Sequence, residues 1–137
     1  LADANRIIAI AFEKASELDL KPIAAAVLDP GGHLVAFQRQ DEASILRFEI
    51  AFGKAYGALA VGVGSRAVAR MAVERPNLAL GLSGVSGGKI VPLPGGVLIL
   101  RNEQIIGAVG ITGDTSDNDE LCAVSGVEGI GFEAQCE

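Results

Sequence analysis

The sequence predicts an α+β fold, one domain in which an antiparallel sheet carries helices on its faces. Two observations lead there. Strand-length apolar runs are joined by tight turns, Asp29-Pro30-Gly31-Gly32 and Asn102-Glu103, rather than by helical crossovers. Segments with apolar residues at helical spacing precede, separate and follow those runs. A chain of 137 residues and 14.0 kDa can bury a proper core without staples, so a single domain over residues 1–137 is expected. Half of the residues are apolar and mean hydropathy is +0.40, which excludes a disordered chain.

The elements follow in order. Residues 2–18 place Ile7, Ile8, Ala11, Ala15 and Leu18 on one side of a helix, with Glu13, Lys14 and Glu17 on the other. Pro22 marks its stop. Residues 23–28 and 33–39 are strands of a hairpin whose turn has one proline and two glycines. Asp41 and Ser44 are competent N-caps for a helix over 45–61, and Ser65 for another over 65–74, ended by Arg75-Pro76-Asn77. The glycine- and serine-rich stretch 78–88 carries no assignable pattern. A short strand is expected over 90–93, turning at Pro94-Gly95-Gly96, then strands over 97–101 and 104–112. A closing helix starts within 114–119 and is weakened by Gly126, Gly129 and Gly131.

Charge is unevenly spread along the chain. Residues 1–37 sum to −2 and residues 38–101 to +4; residues 102–137 hold eight acids, no base and therefore −8, within a total of −6. A nucleic-acid partner is excluded for want of a dense basic stripe, while the positive middle keeps a small anionic ligand in play. The longest uncharged run, residues 76–88, has 13 residues and four glycines, too short to cross a membrane. No signal-peptide pattern follows Leu1, so a cytoplasmic protein is expected, with secretion open should a leader precede the numbered chain. Cys122 and Cys136 form neither a disulfide framework nor a metal cluster and read as reduced thiols.

The central helix is apolar on two sides. Ile45, Phe48, Phe52, Ala55, Tyr56 and Leu59 form one stripe; Ile50, Ala51, Ala58 and Val61 lie opposite, with Arg47 and Lys54 seven residues apart among them. A helix covered on both sides in so small a domain implies a homo-oligomer with these two cations near the interface. His33, the single histidine, follows the hairpin glycines, where it can titrate or ligate a metal. Arg39 and Asp41 flank the strand end, and Arg39 with Arg47 could hold a carboxylate at the helix start, with Asp41 as a base. The glycines at Gly95, Gly96 and over 107–113 match no phosphate-binding motif and suit close approach of a backbone or a flat ligand. Asp114, Asp117, Asp119 and Glu120 do not match a calcium loop and suit a helix N-terminus.

Six pieces in order resemble the GlcG/HbpS-like family, which includes the C-terminal domain of PduO-type proteins. They are the segments at 27–34, 39–41, 50–55, 93–96, 106–113 and 119–123, and they cover nearly the whole chain. Gln40 and Glu42 stand where the family often has Met and Gly. The resemblance implies a profilin-like α/β/α sandwich with a five-stranded antiparallel sheet, assembled as dimers up to octamers. It also implies heme binding or processing for some members. Two functional readings remain open, beside that of an oligomeric scaffold without a pocket. One is a heme-binding module with His33 as the candidate ligand. The other is an enzyme or accessory protein of small-molecule catabolism acting on a small carboxylate. In that case Arg39, Arg47, Lys54, Gly95 and Gly96 bind the ligand, and Asp41 or His33 moves a proton.

Overall fold

The computed structural model describes residues 1–137. In chain order the elements are α1 (Ala2–Glu17), β1 (Ala24–Leu28), β2 (Leu34–Arg39), α2 (Arg47–Val61), α3 (Ser65–Glu74), α4 (Pro76–Val85), β3 (Gly96–Arg101), β4 (Gln104–Thr112), α5 (Ser116–Gly129) and β5 (Glu133–Gln135). The five strands form one antiparallel sheet in the order β2-β1-β4-β3-β5. Alternation along the inner strands decides the layers. Ala25, Val27, Val97, Ile99, Val109 and Ile111 face α1 and α5; Leu28, Leu98, Leu100 and Ala108 face α2. The result is a three-layer α/β/α arrangement, as expected.

The hairpins form as their turn residues dictate. The Asp29 carboxylate accepts from the Gly31 and His33 N–H groups (2.9 and 3.0 Å), closing the first turn. Asn102 and Glu103 both take positive φ (52° and 66°), the twist that a two-residue antiparallel turn needs. Arg39 and Thr112 both pair with Ala24, so they lie in one row at one end of the sheet. Leu34 pairs with Leu28 at the other end.

Three expectations need correction. Residues 90–93 form no strand: the Val91 N–H donates to the Gly53 carbonyl (3.1 Å), so the segment straps the outside of α2. The fifth strand is β5 instead, three residues that cover the free edge of β3. The stretch at 78–88, which shows no pattern in the sequence, is largely helix α4. Pro76 starts it, with φ preset for a first turn. No residue of α4 is buried, so its glycines cost propensity without disturbing a core. The caps differ too. Asp41 and Ser44 do not cap α2, whose N-cap is Leu46, and Ser65 lies inside α3, where its Oγ accepts the Gly96 N–H (2.6 Å).

The side of α2 that meets the sheet is the small-residue one, with Ala51, Ala55 and Ala58 fully buried. Their size lets the helix lie directly on β3 and β4. A Cβ on Gly110 would stand 1.9 Å from the Ala51 carbonyl oxygen, and one on Gly96 2.2 Å from that of Lys54. Gly110→Ala should therefore cost at least about 2 kcal/mol of stability, since backbone would have to move. Gly81→Ala on open α4, with no neighbour within 4 Å, should instead gain about 0.5 to 1 kcal/mol. Urea unfolding of the two variants checks the pair.

Candidate functional site

Each candidate residue acquires a place from this frame. Lys54 projects from the sheet side of α2 and is 1% exposed. Its Nζ donates to the Ile111 carbonyl oxygen (2.9 Å) and to Asp119 Oδ2 on α5 (3.1 Å). Asp119 Oδ1 accepts the Asp114 N–H (3.0 Å). Burial pushes the Asp119 carboxyl up and the Lys54 ammonium down, while their mutual attraction opposes both shifts. What shelters Lys54 is its own sheet and α5, not a neighbouring subunit, so its charge is already taken. Gly95 and Gly96 are buried against it: a Cβ on Gly95 would come within 3.0 Å of Lys54 Nζ. The neighbours of the two glycines within the chain are Lys54 of α2, Ile111 and, for Gly96, Ser65 of α3.

Arg47, Arg39 and Asp41 share the Ala24 end of the sheet. Arg47 is half-buried, and its Nη1 donates to Thr112 Oγ1 (3.0 Å). Arg39 and Asp41 are exposed and form no ion pair. Gln40 between them accepts the Ile23 N–H on Oε1 (2.8 Å), and Glu42 takes a left-handed φ of 72° in the loop before α2. His33 lies just before the far end of β2, about 20 Å from Arg39 by strand rise. Asp41 and His33 thus cannot act on the same bond of one small ligand.

His33 is the best-presented donor on the surface. Its side chain is 79% exposed, and Nδ1 stands 3.3 Å from Asp29 Oδ1. The His33 backbone N–H holds the Asp29 carboxyl below the usual range against the opposing effect of burial, and the Gly31 N–H and the imidazole add to it. A carboxylate on one ring nitrogen orients the other outward, the arrangement seen behind metal-bound histidines. Beside the hairpin tip, Tyr56 lies within contact distance of Gly32. It ends a row of four of the chain's six aromatic residues. Phe37 meets Phe48 edge-on (5.0 Å, 87°), Phe48 meets Phe52 (5.9 Å), and Phe52 stacks on Tyr56 (5.7 Å, 21°). Lys89 Nζ stands 5.6 Å from the Tyr56 ring centre. Sequence reasoning named His33 but missed Asp29, Tyr56 and Lys89 as its surroundings. The four-residue spacing of Asp29 and His33 across the turn was the available signal.

The acidic cluster of α5 serves the fold residue by residue. Asp117 and Glu120 bind Arg66 (2.5 and 3.0 Å), Asp119 binds Lys54, and Asp114 accepts the Lys21 N–H (3.0 Å). Thr115 is the N-cap, accepting the Asn118 N–H (3.2 Å).

Removing one partner of the buried pair leaves an uncompensated charge. Lys54→Met should cost about 3 to 5 kcal/mol, and adding Asp119→Leu should restore most of it, measured by urea unfolding. The buried Cys122 thiol, pushed up to about 11 chiefly by burial, should resist maleimide at pH 8 until the chain unfolds, while half-exposed Cys136 reacts first. An unfolded chain ionises this thiol near 9 and the folded one near 11, so its contribution to stability should fall as pH rises through that window. Mass spectrometry of labelled protein and unfolding at pH 8 and above check both.

Residues 1–128 match the family described as haem degrading protein HbpS-like. An uncharacterized 15.0 kDa protein of the dhaT-dhaS intergenic region of Citrobacter freundii is 31% identical, over 93% of this chain and 89% of its own. The corrinoid adenosyltransferase PduO of Salmonella typhimurium is 28% identical over 93% of this chain, which spans 38% of the PduO length. Among solved structures, the Klebsiella pneumoniae protein ORFY superposes with a TM-score of 0.84 at 30% identity, covering 93% of this chain and 86% of its own. A PduOC:heme complex gives 0.86 at 25% identity, covering 96% and 94%. HbpS, at 22% identity and 0.82 over 95% of this chain and 88% of its own, supports the shared fold. No helix of the chain is long and apolar enough to cross a membrane. With the match running from its first residue through nearly all of α5, the chain belongs to the HbpS-like family.

Proposed function

We propose that the protein binds heme at the hairpin tip, with His33 as the iron ligand. The observation that carries this reading is the exposed imidazole whose Nδ1 faces Asp29, beside the end of the aromatic row. The resemblance to a structure solved with heme, over 96% of the chain, supports the same ligand class. The donor set fits the group. His33 supplies an imidazole nitrogen, Asp29 orients it, Tyr56 and Leu59 offer apolar surface beside Gly32, and Lys89 is a cation for a propionate. Bound there, heme would supply an iron centre open to redox or gas chemistry; the chain's own part is to hold and orient it.

Self-association as a dimer to octamer belongs to the same reading. Ile45 (86% exposed) and Leu46 (59% exposed) stand unpaired just ahead of the half-covered Phe48–Phe52 row. These exposed side chains beside the aromatic row offer apolar surface that a second copy would cover.

Hemin titration of the apoprotein tests the assignment. The expected result is a shifted Soret band that His33→Ala abolishes and that Asp29→Asn weakens about tenfold. An unchanged spectrum in His33→Ala would remove His33 as the ligand.

A further inference from the structure

At the Ala24 end of the sheet, far from His33, a crevice of about 340 Å³ is lined by Lys21, Arg47, Gly113, Asp114 and Thr115, without an apolar residue. Its cations are free. No carboxylate lies within 4.0 Å of Lys21 or Arg47, whereas Lys14, Lys54 and Arg70 each have one and Arg66 has two. Arg47 is also held in place, half-buried and bonded through Nη1 to Thr112, so its remaining donors need little ordering to meet a ligand. Asp114 is fixed as well. Its Oδ1 accepts the Lys21 N–H (3.0 Å), and its Oδ2 accepts the Thr115 N–H (2.9 Å) and Asn118 Nδ2 (2.8 Å). Those bonds, led by Asn118, keep it ionised below the usual carboxylate range. Oδ1 retains an acceptor position that the fold does not fill.

We propose that this crevice binds a small hydrophilic carboxylic acid that also carries a hydroxyl group. The carboxylate accepts from Arg47 and Lys21, the arrangement in which a guanidinium gives two parallel bonds. The hydroxyl donates to Asp114 Oδ1. Two cations against one fixed carboxylate leave a single net positive charge, which favours a monocarboxylate over a phosphate dianion. No hydrophobic side chain lines the crevice, which disfavours an alkyl chain. Lys54 lies deeper, spent on Asp119, and takes no part. The site differs from the carboxylate clamp expected from sequence: it keeps Arg47, adds Lys21 and Asp114, and leaves out Arg39 and Lys54.

Isothermal titration of the full chain at low ionic strength, with sodium glycerate, sodium propionate and sodium phosphate, tests the proposal. Glycerate should bind, propionate about tenfold more weakly, and phosphate no more tightly than propionate. Lys21→Met and Arg47→Gln should each weaken glycerate about tenfold. Asp114→Asn should erase the preference for glycerate over propionate, and Arg39→Gln should change nothing. Lys21 is exposed, so its variant keeps the test sound should Arg47→Gln fold poorly. Absence of glycerate binding, tighter phosphate binding, or glycerate binding unaltered in Lys21→Met would overturn the assignment. His33→Ala should leave glycerate binding intact, so the fate of the heme reading and that of this site are read separately.

Discussion

An ammonium and a carboxylate joined in the interior tie the two faces of the sheet together. Lys54 belongs to the helix on one face and Asp119 to a helix on the other, and they meet beside the end of β4, both side chains 2% exposed. Desolvating two charges costs several kcal/mol each, and only good geometry with further hydrogen bonds offsets it. Here Ile111 supplies an acceptor to the ammonium and Asp114 a donor to the carboxylate. The pair accepts few alternative placements of α2 against α5. It sets the register between layers that apolar packing alone would leave freer to slide.

The same interaction explains why particular glycines stand where they do. Gly95 and Gly96 keep the path of the Lys54 side chain and its backbone clear, and Gly110 lets Ala51 settle onto β4. Four of the six segments that carry the family resemblance therefore converge on one structural knot, at 50–55, 93–96, 106–113 and 119–123. They report the fold. Ligand chemistry falls to what surrounds the knot: the hairpin tip bearing His33 at one end of the sheet, and the polar recess at Arg47 at the other.

Much of the frame was legible from the sequence. The paired strands announced themselves through turn residues such as Asp29-Pro30-Gly31-Gly32, and α1 through the spacing of Ile7, Ile8, Ala11 and Ala15, all of which are buried. What periodicity could not decide was which apolar side of α2 meets the sheet. The sheet takes Ala51, Ala55 and Ala58, drawn from both stripes, with Phe52, Tyr56 and Leu59 packed at the margin, because alanines allow the closest approach. That choice took Lys54 from a candidate ligand contact to a core residue. Helix α4 escaped notice because glycine reads as a breaker, and residues 90–93 read as a strand because an apolar strap over a helix has the same composition. The partnership of Lys21 with Arg47 joins residues 26 apart in sequence, and no local pattern announces it.

The two borders of the sheet are guarded unequally. β2 ends in exposed, charged Arg39, whereas β3 brings the apolar run Val97, Leu98, Ile99 and Leu100 to within one short strand of the rim. That strand, β5, continues into Cys136, whose backbone lies against Gly64, and into Glu137, which pairs with Arg70. Three residues of β5, anchored by the Glu137–Arg70 pair, thus cover this greasy ladder against a foreign strand seeking backbone partners. Loosening β5 would bare that ladder as a template for aggregation while leaving both recesses untouched.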